Sequence, residues 1–297
     1  MLYEVLLFVN VFLAVLNSMG LILYSSYWLR SENRNYITIL SAAGWILGYL
    51  VESPNFDLPL TPHTWIYVVP LLVLLVLTVL NYTTSITQLY VFALLGYSLA
   101  TNCTQGVSTT VAIVYSWILS FIAGIFMSAA IQKTLARIAR PINLARTLSI
   151  ARLLSSLYVF LLSYIFGGNV LGSITSLMGF ESGLRSTLVL TLAIVASIYI
   201  STRVGAVLGL IKALFPVKYL TSLIPYTVAI VVTQVANKLG LPVVVSLVVF
   251  SSVIGIGVSS RLRILYGRNV IRYLATSYVG PPLLTSFLSY IITKICV

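Results

Sequence analysis

Leu16-Asn17-Ser18-Met19-Gly20 lies in the first apolar segment of the chain, and Gly167-Gly168-Asn169-Val170-Leu171-Gly172 lies in the sixth, half a chain later. Each sets an asparagine among small residues inside a hydrophobic run. A second echo pairs Tyr115-Ser116-Trp117-Ile118-Leu119-Ser120 with Thr276-Ser277-Tyr278-Val279-Gly280-Pro281, and each opens the last apolar segment of its half. Duplicated halves with breaker-rich, polar-spotted spans are the sequence pattern of transporters whose site lies between internal repeats.

Composition sets the class. The chain is 60% hydrophobic and 7% charged, with mean hydropathy +1.07, too apolar to remain soluble, so an integral membrane protein is expected. The five acids are Glu4, Glu32, Glu52, Asp57 and Glu181, and none falls near the middle of an apolar run. A charge there costs about 2.5–3.5 kcal/mol on insertion scales. The first segment is not read as a cleavable signal peptide, because its leader carries Glu4 and its apolar run is too long.

Ten spans are read, near 3–27, 36–53, 64–80, 86–101, 111–131, 153–168, 184–201, 219–236, 241–259 and 270–292. With the N-terminus outside, the inner loops collect Arg30 and Arg34; Lys133, Arg137, Arg140, Arg146 and Arg152; Arg203, Lys212 and Lys218; and Arg261, Arg263, Arg268 and Arg272. Only Arg185, Lys238 and Lys294 remain outside. This positive-inside bias accounts for the net charge of +12 as a topology signal rather than a nucleic-acid surface. Anionic lipid head groups are the expected partners of the inner loops.

Residues 132–152 form the long basic stretch, with five spans on either side. An odd number of spans per half inverts one half relative to the other. The expected fold is therefore an all-α integral membrane protein of about ten transmembrane segments in two inverted five-span repeats, 1–131 and 153–297, joined by a basic cytoplasmic linker at 132–152. Both termini lie outside the cell membrane. Asn81-Tyr82-Thr83-Thr84-Ser85, Gly240-Leu241-Pro242 and Gly280-Pro281-Pro282 predict broken helices or re-entrant hairpins at the fourth, ninth and tenth spans.

Aligned in this way, the halves resemble the inorganic phosphate transporter family, the sodium- or proton-coupled phosphate symporters and related sulfate permeases. The family's Gly-Ala-Asn-Asp signature is similar to Val15-Leu16-Asn17-Ser18 and Gly167-Gly168-Asn169-Val170. Its Pro-Val-Ser-Thr-Thr-His signature resembles Pro242-Val243-Val244-Val245-Ser246-Leu247 and, in the first half, Thr87-Gln88-Leu89-Tyr90-Val91-Phe92. Val107-Ser108-Thr109-Thr110 matches by letters but lies too close to Ser116-Trp117, so 102–110 reads as an outer loop. The resemblance implies a secondary carrier or facilitator for a small inorganic oxyanion, phosphate first and sulfate second. It also implies coupling to Na⁺ or protons through the signature Asp residues. Here Ser18 and Val170 replace both Asp residues, and neither titrates. A transport-inactive relative serving as a structural or assembly subunit of a membrane complex is the alternative.

The candidate substrate-binding residues are Asn17, Ser18, Gly168, Asn169, Ser173 and Ser246. The two asparagines either donate amide hydrogen bonds to an oxyanion or hold helices together. Gly167, Gly168 and Gly172 allow either an unwound anion nest or close helix packing. Ser173 either adds a hydroxyl or bonds back to its own helix. His63, Glu52 and Asp57 read as outer-loop residues. Neither metal-ligand spacing nor a nucleophile with a base is visible, so no enzyme, metal or cofactor is expected. A homo-oligomer is compatible with the sequence.

Overall fold

The computed structural model describes residues 2–25, 34–56, 58, 65–79, 84–138, 144–178, 184–204, 223–260, 271–272 and 274–296. Expectations for Glu32, Asp57, His63, 81–83, Glu181 and the segment 205–222 lie outside these residues.

Everything regular in the described chain is helical. The order is α1 (Leu2–Ser25), α2 (Arg34–Glu52), α3 (Trp65–Val79), α4 (Ile86–Thr101), α5 (Thr104–Ile138), α6 (Leu144–Phe166), α7 (Gly172–Leu177), α8 (Leu184–Val204), α9 (Ile224–Lys238), α10 (Val245–Ser259) and α11 (Gly280–Cys296). A π-helical turn, Gly167–Leu171, joins α6 to α7, and a second, Ala275–Val279, leads into α11. Six helical stretches are long and apolar enough to cross a bilayer: Tyr3–Leu23, Arg34–Asn55, Thr104–Arg137, Leu153–Leu177, Arg185–Arg203 and Ala275–Cys296.

This differs from ten full spans. The helices α3, α9 and α10 have 15 residues and α4 has 16. At 1.5 Å per residue they reach only about 22–24 Å, against roughly 30 Å of hydrocarbon. They come in consecutive pairs, α3–α4 and α9–α10, each pair packed along itself. Thr84 and Ser85, the described part of the first expected interruption, lie just before α4, and Gly240-Leu241-Pro242 lies at the turn between α9 and α10, where the sequence placed an interruption. Two further boundaries move. The outer loop expected at 102–110 is mostly the first turns of α5, which starts at Thr104. The basic stretch 132–152 is largely helix, since α5 continues to Ile138 and α6 begins at Leu144.

Packing follows a crossed pattern. In the order α1-α2-α3-α4-α5 against α6-α8-α9-α10-α11, α4 packs on α11 and α10 on α5; α2 packs on α6 and α8 on α1. Exchanging the halves leaves this set of pairs unchanged.

Small residues permit the close crossings. A Cβ added at Gly96 of α4 would collide with the Ser286 carbonyl and Ser289, and one at Gly255 of α10 with the Ile125 carbonyl and Ser128. On α2, Gly44 and Gly48 lie one turn apart against α6. A Cβ at Gly44 would come within 2.6 Å of the Phe160 carbonyl, and one at Gly48 would overlap the Tyr164 carbonyl. At the partner crossing, the Ser197 hydroxyl of α8 donates to the Phe12 carbonyl of α1 at 2.9 Å. Away from these seams, Leu72, Leu119, Phe126, Leu153, Leu192 and Phe287 are more than half exposed, as a lipid-facing surface requires.

Candidate functional site

A polar backbone inside a membrane protein must be paired, so the irregular turns between the short helices show where side chains do that work. Each turn is strapped from two directions. In the first half, Asn17 Nδ2 of α1 donates to the Thr84 carbonyl at 2.8 Å, and the Thr84 hydroxyl donates to the Ser277 carbonyl at 3.0 Å. In the second, Asn169 of the π-turn meets Val243. Its amide is satisfied when Nδ2 donates to the Val243 carbonyl at 2.7 Å and Oδ1 accepts from the Val243 N–H at 3.0 Å. Trp117 Nε1 of α5 donates to the neighbouring Pro242 carbonyl at 2.7 Å.

Thr84 lies two residues before α4, and Val243 two residues before α10. The same offset carries Gly96 onto Gly255. The first-half counterpart of Pro242–Leu247 is therefore Thr83–Gln88, four residues upstream of the alignment read from sequence. Thr87, not Val91, stands opposite Ser246, and Gln88, not Phe92, stands opposite Leu247.

Both helices begin in buried surroundings. Thr84, Ser85, Thr87 and Gln88 are buried, and Ser85, the N-cap of α4, makes no capping hydrogen bond. Val244, the N-cap of α10, has no polar side chain to offer. The first N–H groups of a helix have no intrahelical partner and carry the positive end of its dipole. Buried and without side-chain caps, they are ready to donate hydrogen bonds to an anion. Gln88 adds an amide whose Oε1 is buried without a partner.

The expected site residues fall into two groups. Asn17, half-buried, lies on α1 against Thr84, and Ser18, buried, follows it on the same helix. Gly168, Asn169 and Ser173 lie at the π-turn beside the α9–α10 turn, and Ser246, half-buried, opens α10. Both asparagine amides are engaged with turn backbone. The Ser173 hydroxyl bonds back to the Asn169 carbonyl at 2.8 Å and the Val170 carbonyl at 3.0 Å, within its own helix. The glycine-rich stretch is wound as a π-helix rather than unwound. Close packing explains Gly167, whose Cβ would strike the Trp45 carbonyl, and Gly172, whose Cβ would come within 2.7 Å of the Phe56 ring.

Sequence reading missed Glu52. It is not an outer-loop residue but the buried last residue of α2, 4% exposed. Its Oε1 accepts from the Tyr164 hydroxyl at 2.9 Å and from Gln234 Nε2 at 2.8 Å; its Oε2 accepts from Asn55 Nδ2 at 3.1 Å. Pro54, Asp57 and Pro59 downstream gave the region the look of a loop.

No family model matches the chain, and no curated protein does. Among solved structures, it is similar to one described as the sodium-dependent phosphate transporter, with a TM-score of 0.72 over 99% of this chain and 98% of that one, at 16% sequence identity. A likeness of that extent at that identity is a likeness of fold. The chain is a multi-pass membrane protein, all-helical in its described residues, with the fold of that transporter, the fold that the resemblance of its motifs implied.

Proposed function

We propose that this protein is a cell-membrane carrier for inorganic phosphate, with sulfate as the second choice, built from two inverted five-helix repeats. Each repeat has three spanning helices and one pair of short helices, α3–α4 or α9–α10, and the pairs enter from opposite faces. The crossed packing supports that reading, as do the matched contacts of Gly96 and Gly255. Six crossings put both termini on one face, the outer one by the distribution of Lys and Arg.

One observation carries the function: two buried, uncapped helix N-termini, each strapped by an asparagine at a matched place in its repeat. On this reading the anion binds between the starts of α4 and α10, with Thr87, Gln88 and Ser246 beside it. Asn17 and Asn169 position the turns rather than grip the substrate. Ser18, Gly168 and Ser173 support them from behind. Rocking of the repeats then exposes the anion to each side in turn.

Binding is tested by thermal unfolding of the purified protein in detergent. A ligand at 100 times its Kd stabilises the folded state by about 2.7 kcal/mol. Phosphate is expected to raise the Tm saturably and sulfate to do so more weakly, while chloride at equal ionic strength leaves it unchanged. Equal shifts with all three anions would remove the site.

A further inference from the structure

Ser85-Ile86-Thr87-Gln88 opens α4 with the letters of a capping box. In that motif the N-cap serine hydroxyl accepts from the N–H three residues on, and the glutamine side chain reaches back to the serine N–H. The backbone of Ser85 takes the extended shape the motif needs, with φ −90° and ψ 118°, yet its side chain makes no cap bond. The Gln88 side-chain oxygen is likewise enclosed without a hydrogen-bond partner among the described residues, and the residue is 4% exposed. The box is present and left open at both ends. Packing does not require the amide, because Leu247, at the matching place of α10, is apolar. Burying an unpaired amide oxygen is costly, so what the position lacks is an incoming donor.

Two demands meet at this helix start. The first N–H groups of α4 call for negative charge. The Gln88 oxygen calls for a hydrogen-bond donor, and side chains on an α-helix lean toward its N-terminus, back over those same N–H groups. The Thr84 hydroxyl is already spent on the Ser277 carbonyl. The hydroxyls of Ser85 and Thr87 can turn to donate or to accept, whereas the amide oxygen can only accept. One ligand answers both demands: an oxyanion that carries its own O–H. Phosphate at neutral pH carries one or two such groups. Sulfate is fully ionised there and carries none.

We infer that the Gln88 side-chain oxygen accepts a hydrogen bond from the O–H of a hydrogen phosphate held at the start of α4, and so selects phosphate over sulfate. Sulfate would set a charged oxygen without a hydrogen against the amide oxygen, leaving two acceptors face to face in a buried place. The selectivity then resides in one half of the molecule, since Leu247 offers α10 no acceptor at the matching position. This inference rests on the proposed anion site between α4 and α10, and adds to it the atom that reads the anion's own proton.

The test is displacement of radioactive phosphate from the purified full-length protein in nanodiscs, at neutral pH and constant ionic strength, by unlabelled phosphate, monofluorophosphate and sulfate. Monofluorophosphate keeps the tetrahedral phosphorus and the double negative charge but has fluorine where phosphate has its O–H. On wild type it is expected to compete about tenfold more weakly than phosphate, alongside sulfate. Gln88→Met keeps the length of the side chain and removes the acceptor. It is expected to weaken phosphate about tenfold while sulfate holds or gains, so that the three anions converge. Monofluorophosphate competing as well as phosphate, or a folded Gln88→Met that weakens phosphate and sulfate alike, overturns the inference and leaves the anion site standing. Should Gln88→Met fail to fold, the comparison of anions on wild type decides. Wild type that binds no phosphate saturably removes the site, and this inference with it.

Discussion

Asn17 and Asn169 occupy matched places but carry unequal loads. Asn17 supplies one hydrogen bond to its turn, whereas Asn169 satisfies both backbone groups of Val243 and meets Asn237 as well. A single interhelical side-chain bond in a membrane protein averages about 0.6 kcal/mol. A buried backbone group left unpaired costs about 1–3 kcal/mol. Asn17→Ala, which leaves one backbone group unpaired, should therefore lower stability by about 1–2 kcal/mol, and Asn169→Ala, which leaves two, by about 2–4 kcal/mol, checked by thermal unfolding in detergent with circular dichroism. Equal losses would refute the bidentate strap. Both asparagines were legible in the sequence because a polar amide in an apolar run has to be paired. What each one pairs with was not, since Thr84 and Val243 offer only backbone atoms and any residue has those. Glu52 was hidden for the opposite reason. Its partners Tyr164, Gln234 and Asn55 come from three separate places in the chain, and its local neighbours read as a turn.

At the scale of elements, the glycines of the crossings separate packing from site. Gly48→Ala drives a methyl into the Tyr164 carbonyl, whereas Gly280→Ala places one 3.3 Å from the Ala275 carbonyl. The first should lower the Tm sharply or abolish the monodisperse peak in size-exclusion chromatography, and the second should cost little. Gly240 makes a further point at the α9–α10 turn. Its φ is +67°, in the left-handed region, and a Cβ would strike the Asn55 carbonyl. Gly240→Ala adds about 1–2 kcal/mol of backbone strain to that clash, and should reduce phosphate binding through the start of α10. Interruptions at the short helix pairs were visible as Asn, Gly and Pro clusters. The register of α4 was not. Ile86–Thr101 is buried on nearly every side, so its apolar letters fit several alignments, and only the strap at Thr84 and the seam at Gly96 fix one.

At the scale of the molecule, the crossed pairing means that neither half buries its own core. Each of α4 and α10 packs on the last helix of the other half, so the repeats are expected to unfold together and not to express as separate fragments. The proposed topology also places the two native thiols, half-buried Cys103 and exposed Cys296, on the outer face. Labelling of intact cells with a membrane-impermeant maleimide should therefore reach Cys296. A cysteine introduced by Lys133→Cys in a background lacking both native thiols should react only after permeabilisation. The reverse pattern would invert the protein in the membrane. That the chain is helical and apolar was legible in hydropathy; the distinction between long spans and short helices was not, because a 15-residue helix and a 20-residue helix are equally apolar per residue.

The most direct measurement of the central claim is uptake of radioactive phosphate into proteoliposomes under an inward Na⁺ gradient, with wild type beside Asn17→Ala/Asn169→Ala. The account predicts saturable uptake by wild type that falls at least tenfold when choline replaces Na⁺, and falls likewise in the double variant. Absence of uptake from demonstrably folded wild-type protein, under Na⁺, proton and zero gradients alike, would contradict it.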